Sequence, residues 1–419
     1  MSAGGSDQAM DPKMSSSPVV IVGAGHAGVQ AAASLREDGF DGEIVLLSDE
    51  QDPPYQRPPL SKAFLKGEMD IHGLPLRAEA YFRDQRIDLR LGVRATRIDR
   101  AAQRLETSEG KSIGYGHLIL ATGARRRRLG AAGEELPGVF TLRTIADATR
   151  IRERLGPGRK VVVIGAGFIG LEIAATAASL GAVVTIVEIA RPMGRAVSTV
   201  MSDFFLKAHG GFGANFRIGR GVAAITGAGK AEAVVLTDGE VLPADIVIVA
   251  VGVTAEDRLA RDCGLECMNG VVVDAHLQTS DPAISAIGDC VDFPNAALGF
   301  RTRLESIQNA VDQGKCVAAR LDGKPRPYDA LAWFWSDQGD LKLMIAGLPH
   351  GVDTWVVRGD PEARAFSTFG FRNCKLAVVE SVNRAADHAA AKRIVGTPKI
   401  LTPEDAANPA FDLRALAKG

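Results

Sequence analysis

Val19-Val20-Ile21-Val22-Gly23-Ala24-Gly25-His26-Ala27-Gly28 and Val161-Val162-Val163-Ile164-Gly165-Ala166-Gly167-Phe168-Ile169-Gly170 are the stretches that decide the fold. Each is a β-branched apolar run that breaks at a glycine and continues as a helix-forming stretch. Each is followed by a second apolar run that ends in an acid: Ile44-Val45-Leu46-Leu47-Ser48 before Asp49, and Val183-Val184-Thr185-Ile186-Val187 before Glu188. One such glycine pattern is weak evidence. A matched pair in strand–turn–helix context points to two dinucleotides on one chain. The first glycine of each set permits the tight turn, the second lets backbone approach a pyrophosphate, and the third lets helix pack on strand. The pyrophosphate then meets a helix N-terminus, where unpaired N–H groups and the helix dipole favour negative charge. The acid accepts hydrogen bonds from ribose hydroxyls. Glu188 would repel a 2′-phosphate, so the second site should prefer NADH to NADPH, although Arg191 and Arg195 lie just beyond it.

Composition narrows the class. The chain has 419 residues, with 49 Lys and Arg against 50 Asp and Glu, a net charge of −1. That length suits two or three domains. The balanced charge gives no field that would gather nucleic acid or an anionic membrane. No stretch reaches the ~18 uninterrupted apolar residues of a membrane span. Residues 1–17 are rich in Ser and Gly without an apolar core, and are expected to form a disordered tail rather than a secretory signal. A cytoplasmic protein is expected. The five cysteines, Cys263, Cys267, Cys290, Cys316 and Cys374, include no CxxC and no iron–sulfur spacing. No metal site is expected, and electrons gathered on this chain must leave to an external acceptor.

Further signals set the organisation. Asp52-Pro53-Pro54-Tyr55-Gln56-Arg57-Pro58-Pro59-Leu60-Ser61-Lys62 reads as a stiff loop. Leu118-Ile119-Leu120 reads as a strand running into Ala121-Thr122-Gly123, and Asp245 to Val251 as one ending in Gly252. A helix should run from about Glu305 to Leu321. Beyond Pro325 and Pro327, segments such as Trp355 to Arg358 and Lys375 to Val379 read as strands of a different kind of domain. The expected fold is α/β, with two Rossmann-like dinucleotide-binding domains, one inserted in the other, plus a C-terminal α+β domain. The expected boundaries are 18–125 with 253–328 for the first domain, 126–252 for the second and 329–419 for the third.

The chain resembles the glutathione-reductase-like flavoprotein family, in its ferredoxin reductase branch. The resemblance rests on Arg57-Pro58-Pro59-Leu60-Ser61-Lys62, Ala121-Thr122-Gly123, Ile169-Gly170-Leu171-Glu172, Ile287-Gly288-Asp289-Cys290, Glu305-Ser306-Ile307-Gln308-Asn309-Ala310 and Trp333-Phe334-Trp335-Ser336-Asp337-Gln338. It covers nearly the whole chain after Pro18. It implies an NADH-dependent enzyme that reduces, through FAD, a [2Fe–2S] ferredoxin serving a cytochrome P450 or a Rieske-type oxygenase. It implies an FAD site built from Gly23, Gly25, His26, Ala27, Gly28, Asp49, Arg57, Lys62, Ala95, Ala121, Thr122, Gly123, Arg143, Gly288, Asp289, Ile307 and Trp335. Lys62 would lie near the flavin N5 edge, Asp289 at a ribityl hydroxyl and Trp335 beside the flavin. His26 would be a loop residue near the pyrophosphate. It implies an NADH site built from Gly165, Gly167, Phe168, Ile169, Gly170, Glu172, Glu188 and Gly252, with Glu172 near the nicotinamide carboxamide. Lys62 and Glu172 would form an ion pair and act as the catalytic residues.

Without the resemblance, Lys62 reads as a solvated loop charge, Glu172 as an acid of a helix's first turns, and Trp335 as core. The chain departs from the family at Arg126 and Ala255, where proline is common, and at Gly339, where an aromatic residue is common. The partner would be an acidic ferredoxin docking on cations such as Arg77 and Arg125 to Arg128, and the protein a monomer or weak dimer. Two other readings stay open. One is an NADH oxidase or peroxidase, which usually carries a reactive cysteine early in the chain. The other is an NADH-responsive interaction protein resembling apoptosis-inducing factor. A different redox partner, such as a rubredoxin, is also compatible.

Overall fold

A computed structural model describes residues 17–418. The tail expected over residues 1–17 therefore falls, except for Ser17, outside the described residues. The chain divides into two compact units.

The first unit takes residues up to 56, 74–125 and 253–330. Its centre is a five-stranded parallel sheet in the order Ile284–Ala286, His117–Leu120, Val19–Val22, Ile44–Leu47, Ile87–Arg90. The three central strands are apolar throughout except for His117, as a sheet covered on both faces favours, and all their residues are buried. Val22 pairs with both Leu47 and Leu120, so these strands finish together at one edge. The helix His26–Glu37 packs on the helix Ile307–Leu321. Gly314 permits this close approach, because a Cβ there would lie 3.0 Å from the Ala27 carbonyl oxygen and the Ala31 nitrogen. The expected helix start near Glu305 moves to Ile307, because the Ser306 hydroxyl caps the helix by accepting from the Asn309 N–H at 3.1 Å.

The second unit takes 57–73, 126–252 and 331 onward. A second parallel sheet runs Asn215–Ile218, Val183–Glu188, Lys160–Ile164, Ile246–Val249, Val139–Phe140. Ile164 pairs with Val187 and Val249, repeating the aligned edge of the first sheet. The C-terminal part is a five-stranded antiparallel sheet, Trp333–Gln338, Leu341–Gly347, Lys375–Val382, Ala365–Arg372, Thr354–Asp360, with three helices after it.

Two segments group differently from the sequence-based boundaries. The C-terminal sheet shares one core with the second fingerprint: Val161, Ala174 and Phe205 belong to the same cluster as Leu343, Phe366 and Val378. Residues 57–73 also pack here. Leu65 is buried in that core, and the Thr176 hydroxyl donates to the Ser61 carbonyl at 2.8 Å.

A buried carboxylate ties the C-terminal sheet to the helix Thr199–Gly211. Glu380 is fully buried and accepts from the Ser198 N–H at 2.7 Å, the Ser198 hydroxyl at 2.6 Å and the Thr368 hydroxyl at 2.7 Å. Burial outweighs these bonds and pushes its pKa up to about 6. The folded protein thus holds this proton more tightly than the unfolded chain does. Its stabilising effect is full below the unfolded value of 4.5 and is lost as pH rises through about 6. Glu380→Gln is expected to remove this loss and to flatten the stability profile between those values by about 2 kcal/mol. Urea unfolding of both proteins across that window checks this, and parallel profiles would refute it.

Candidate dinucleotide sites

The two fingerprints have the same internal logic. Gly23 sits at φ +108°, and a Cβ there would come within 2.2 Å of the Ala121 carbonyl oxygen. At Gly28 a Cβ would come within 1.9 Å of the Gly23 carbonyl oxygen. Gly165 and Gly170 repeat these clashes at 2.4 Å from the Ala250 oxygen and 2.2 Å from the Gly165 oxygen. The chain's own packing therefore requires the outer glycines. The middle ones differ: a Cβ on Gly25 or Gly167 meets nothing within 4 Å. Each is the N-cap of its helix, with no side-chain cap hydrogen bond. An open cradle of backbone over an uncapped helix N-terminus fits a pyrophosphate. His26 is the first residue of its helix rather than a loop residue, because the turn is completed at Gly25.

At the second fingerprint the acid is fixed. Glu188 ends its strand, with Oε2 accepting from the Ala166 N–H at 2.8 Å and Oε1 from the Ala190 N–H at 2.9 Å. Its carboxylate is thereby held against the glycine turn. Arg191 turns to Asp203 at 3.1 Å. Gly252, at φ +93°, follows the neighbouring strand Ile246–Val249, and its carbonyl accepts from the Arg127 N–H at 3.0 Å. Phe168 and Ile169 open the fingerprint helix, and Ile169 is exposed.

At the first fingerprint Asp49 lies two residues past its strand, is mostly exposed and faces Arg94 at 3.6 Å. Ala121, Thr122 and Gly123 leave the strand His117–Leu120, which flanks Val19–Val22 on the side away from the Asp49 strand. The Thr122 hydroxyl donates to the Glu256 carbonyl at 2.6 Å, and the Glu256 N–H to the Gly123 carbonyl at 2.9 Å. Gly288 and Asp289 open a short turn just after the strand Ile284–Ala286, with the Gly288 N–H held by Gln313 at 2.7 Å. These segments all gather at the carboxyl edge of one parallel sheet, where ligands of such sheets bind. Ala95 starts a strand of a separate antiparallel sheet, and Ile307 is the first residue of its helix.

Lys62 and Glu172 meet. The Lys62 ammonium is 2.6 Å from Glu172 Oε2, with side-chain exposures of 20% and 6%. Ser61 donates its hydroxyl to the same oxygen at 2.5 Å, and Ser336 donates to Oε1 at 2.7 Å. Sequence reading missed both hydroxyls. Ser61 adjoins Lys62, but only the fold brings Ser336 to them. The Arg57 guanidinium donates to the Arg143 carbonyl at 2.5 Å, and the Arg143 N–H to Asp147 at 3.1 Å. Trp335 is half-buried and stacked on Trp333, with ring centroids 5.6 Å apart.

The cysteines are all free thiols. Burial pushes Cys267 up to about 11 and raises Cys263, Cys290 and Cys316. That is the opposite of an activated thiolate. Among the described residues no group of His, Cys, Asp and Glu could hold a metal ion, and no helix is long and apolar enough to cross a membrane.

Residues 17–314 match the family described as pyridine nucleotide-disulphide oxidoreductase, and 333–417 the one described as reductase C-terminal. Rhodocoxin reductase of Rhodococcus erythropolis is 49% identical over 403 residues, covering 96% of this chain and 94% of that protein. The crystal structure of the ferredoxin reductase for the CYP199A2 system of Rhodopseudomonas palustris superposes with a TM-score of 0.94 at 48% identity, covering 96% of this chain and all of the other. The reductase of the covalent putidaredoxin reductase–putidaredoxin complex superposes at 0.93 with 37% identity, covering 96% and 98%. With its paired glycine cradles and its C-terminal antiparallel sheet, the chain belongs to the pyridine nucleotide-disulphide oxidoreductase family.

Proposed function

We propose that the protein is an FAD-dependent NADH:ferredoxin oxidoreductase, passing electrons to a [2Fe–2S] ferredoxin of a cytochrome P450 or Rieske-type oxygenase system. The observation that carries this is the pair of middle glycines, open where the outer ones are packed shut. The nature of the rhodocoxin, CYP199A2 and putidaredoxin reductases supports the choice of partner. The first cradle holds the ADP half of FAD and the second that of NADH. Bound FAD supplies the conversion between a two-electron hydride donor and one-electron acceptors, so that each NADH reduces two ferredoxins and releases one proton. The chain orients the carriers. Gly25 and Gly167 bring backbone N–H groups to the pyrophosphates, Glu188 holds the NADH ribose, and Glu172, paired with Lys62, meets the nicotinamide carboxamide. Arg77 and the run Arg125 to Arg128 are the candidate docking cations for an acidic ferredoxin, and the working form is a monomer or weak dimer.

Anaerobic stopped-flow mixing with NADH, then with oxidised [2Fe–2S] ferredoxin, tests the reading. Fast bleaching of the flavin and fast reduction of the ferredoxin are expected, with ferredoxin turnover falling as ionic strength rises. Slow reduction with a long-lived charge-transfer complex would favour the NADH-responsive interaction protein. A reduced flavin that ignores ferredoxin and reacts quickly with oxygen would favour the oxidase. Glu188→Ala removes two hydrogen-bond acceptors from the ribose site. It is expected to raise the KM for NADH about tenfold and to narrow the preference over NADPH. Steady-state kinetics with both nucleotides checks this, and an unchanged preference would remove Glu188 from the site.

A further inference from the structure

Ser336 and Gln338 are two residues apart on the strand Trp333–Gln338, so their side chains share a face. That strand packs on the fingerprint helix Phe168–Ser179, which carries Glu172. The Ser336 hydroxyl donates to Glu172 Oε1 at 2.7 Å. The Gln338 amide N–H donates to the Ser336 oxygen at 3.1 Å, and His209 Nε2 lies 2.8 Å from Gln338 Oε1. Ser336, Gln338 and His209 are completely buried.

Every bond in this row points the same way. The second face of the Gln338 amide nitrogen meets Met193 Sδ at 3.6 Å. A thioether has lone pairs and no hydrogen to give, so the amide NH2 belongs on that side and the carbonyl on the His209 side. A carbonyl can only accept, so His209 carries its hydrogen on Nε2. His209 Nδ1 is buried without a hydrogen-bond partner. Burial pushes the imidazole pKa below its ordinary value, and the ring stays neutral. His209 therefore donates to Gln338, Gln338 to Ser336, and Ser336 to Glu172. Each donor polarises the next, which strengthens the last bond to the carboxylate. Without the Gln338 amide the Ser336 hydroxyl would still face Glu172 Oε1, but with no donor behind it to polarise it and fix its rotamer. The Oε1 side of the carboxylate would then be held more loosely than the Oε2 side, where Lys62 and Ser61 meet it.

We propose that Gln338, oriented by His209, is a positioning residue. It directs the Ser336 hydroxyl onto Glu172 and thereby sets the carboxylate's orientation toward the nicotinamide carboxamide. This rests on the assignment of Glu172 to the nicotinamide end of the NADH site. The row of His209, Gln338 and Ser336 ends on Glu172 and acts through it.

The test compares Ser336→Ala, Ser336→Thr, Gln338→Met and Glu172→Gln in the FAD-loaded protein. Two quantities are read: the limiting rate of flavin reduction by NADH, and the affinity for ADP-ribose, which lacks the nicotinamide. Ser336→Ala and Gln338→Met are expected to slow reduction about tenfold while ADP-ribose affinity stays within about twofold, and Ser336→Thr to recover most of the rate. A parallel loss of ADP-ribose affinity would reveal a merely structural role and overturn the proposal. So would an unchanged rate in Ser336→Ala and Gln338→Met while Glu172→Gln is slow, and that result would leave the Glu172 assignment standing. An unchanged rate in Glu172→Gln would overturn the assignment itself, and the proposal with it.

Discussion

Gly25→Val is expected to yield a folded protein without flavin, whereas Gly28→Val yields no folded protein. The two glycines are three residues apart in one motif, yet the neighbouring backbone treats them differently. A Cβ at Gly28 would lie 1.9 Å from the Gly23 carbonyl oxygen, a backbone atom that cannot rotate away. The helix His26–Glu37 would have to leave its strand. At Gly25 a Cβ meets nothing within 4 Å, and the backbone is extended at φ −79° and ψ −170°, which valine adopts readily. The only thing displaced there is the ligand. The pyrophosphate needs the backbone N–H groups at close range, and a branched side chain over the cradle keeps it away. Losing one hydrogen bond to a charged group costs about 1.5 kcal/mol, which is about tenfold in affinity. Loss of several bonds should empty the site. Bound flavin per protein, measured beside circular dichroism, checks the prediction. A Gly25→Val protein that retains its flavin would show that the first cradle does not hold the FAD pyrophosphate. Gly167→Val is the internal control: it should keep the flavin and lose reduction by NADH.

Lys62→Met is expected to destabilise the second unit and to slow reduction by NADH at the same time. The ammonium is the one cation within ion-pair distance of Glu172 among the described residues. Removing it leaves a buried carboxylate with, among the described residues, only the Ser61 and Ser336 hydroxyls as donors. Stranding a buried charge in this way costs about 3 kcal/mol. Glu172→Gln alone also breaks the pair, but the charge it leaves, on Lys62, is the more exposed of the two, at 20% against 6%. The double variant should therefore be more stable than Lys62→Met, with a coupling energy of about 1–2 kcal/mol. Urea unfolding of the four proteins provides the cycle. Stability effects that simply add would mean that the two side chains do not interact in solution.

The parts of this protein that repeat were legible in its sequence. A parallel strand buried on both faces is a continuous apolar run. The tight turn after it excludes side chains, and the acid after the second strand marks its end. All three signals are local, so Gly23 to Gly28, Gly165 to Gly170, Asp49 and Glu188 could be named from one linear pattern. The Lys62–Glu172 pair came from a resemblance, since nothing within the Pro-rich loop says where its lysine points. The helix Ile307–Leu321 starts two residues past the expected Glu305, because the Ser306 hydroxyl caps it and only the backbone conformation decides where that cap forms.

Tertiary structure decided the remainder. Ser61 reaches Glu172 across 111 positions and Ser336 across 164. Gln338 reaches His209 across 129, and Glu380 reaches Ser198 across 182. Buried polar side chains carry no period that would announce them. Their partners are set by which strand edge and which helix face the fold brings together. The placement of residues 57–73 with the second unit has the same origin: Leu65 is one apolar residue among many until a core forms around it. The sequence by itself announced two dinucleotide-type folds, because the turns at Gly23, Gly28, Gly165 and Gly170 bring backbone so close that a Cβ would strike it. The fold alone determined how the acid between Lys62 and Ser336 is held, because side chains distant in sequence make that site.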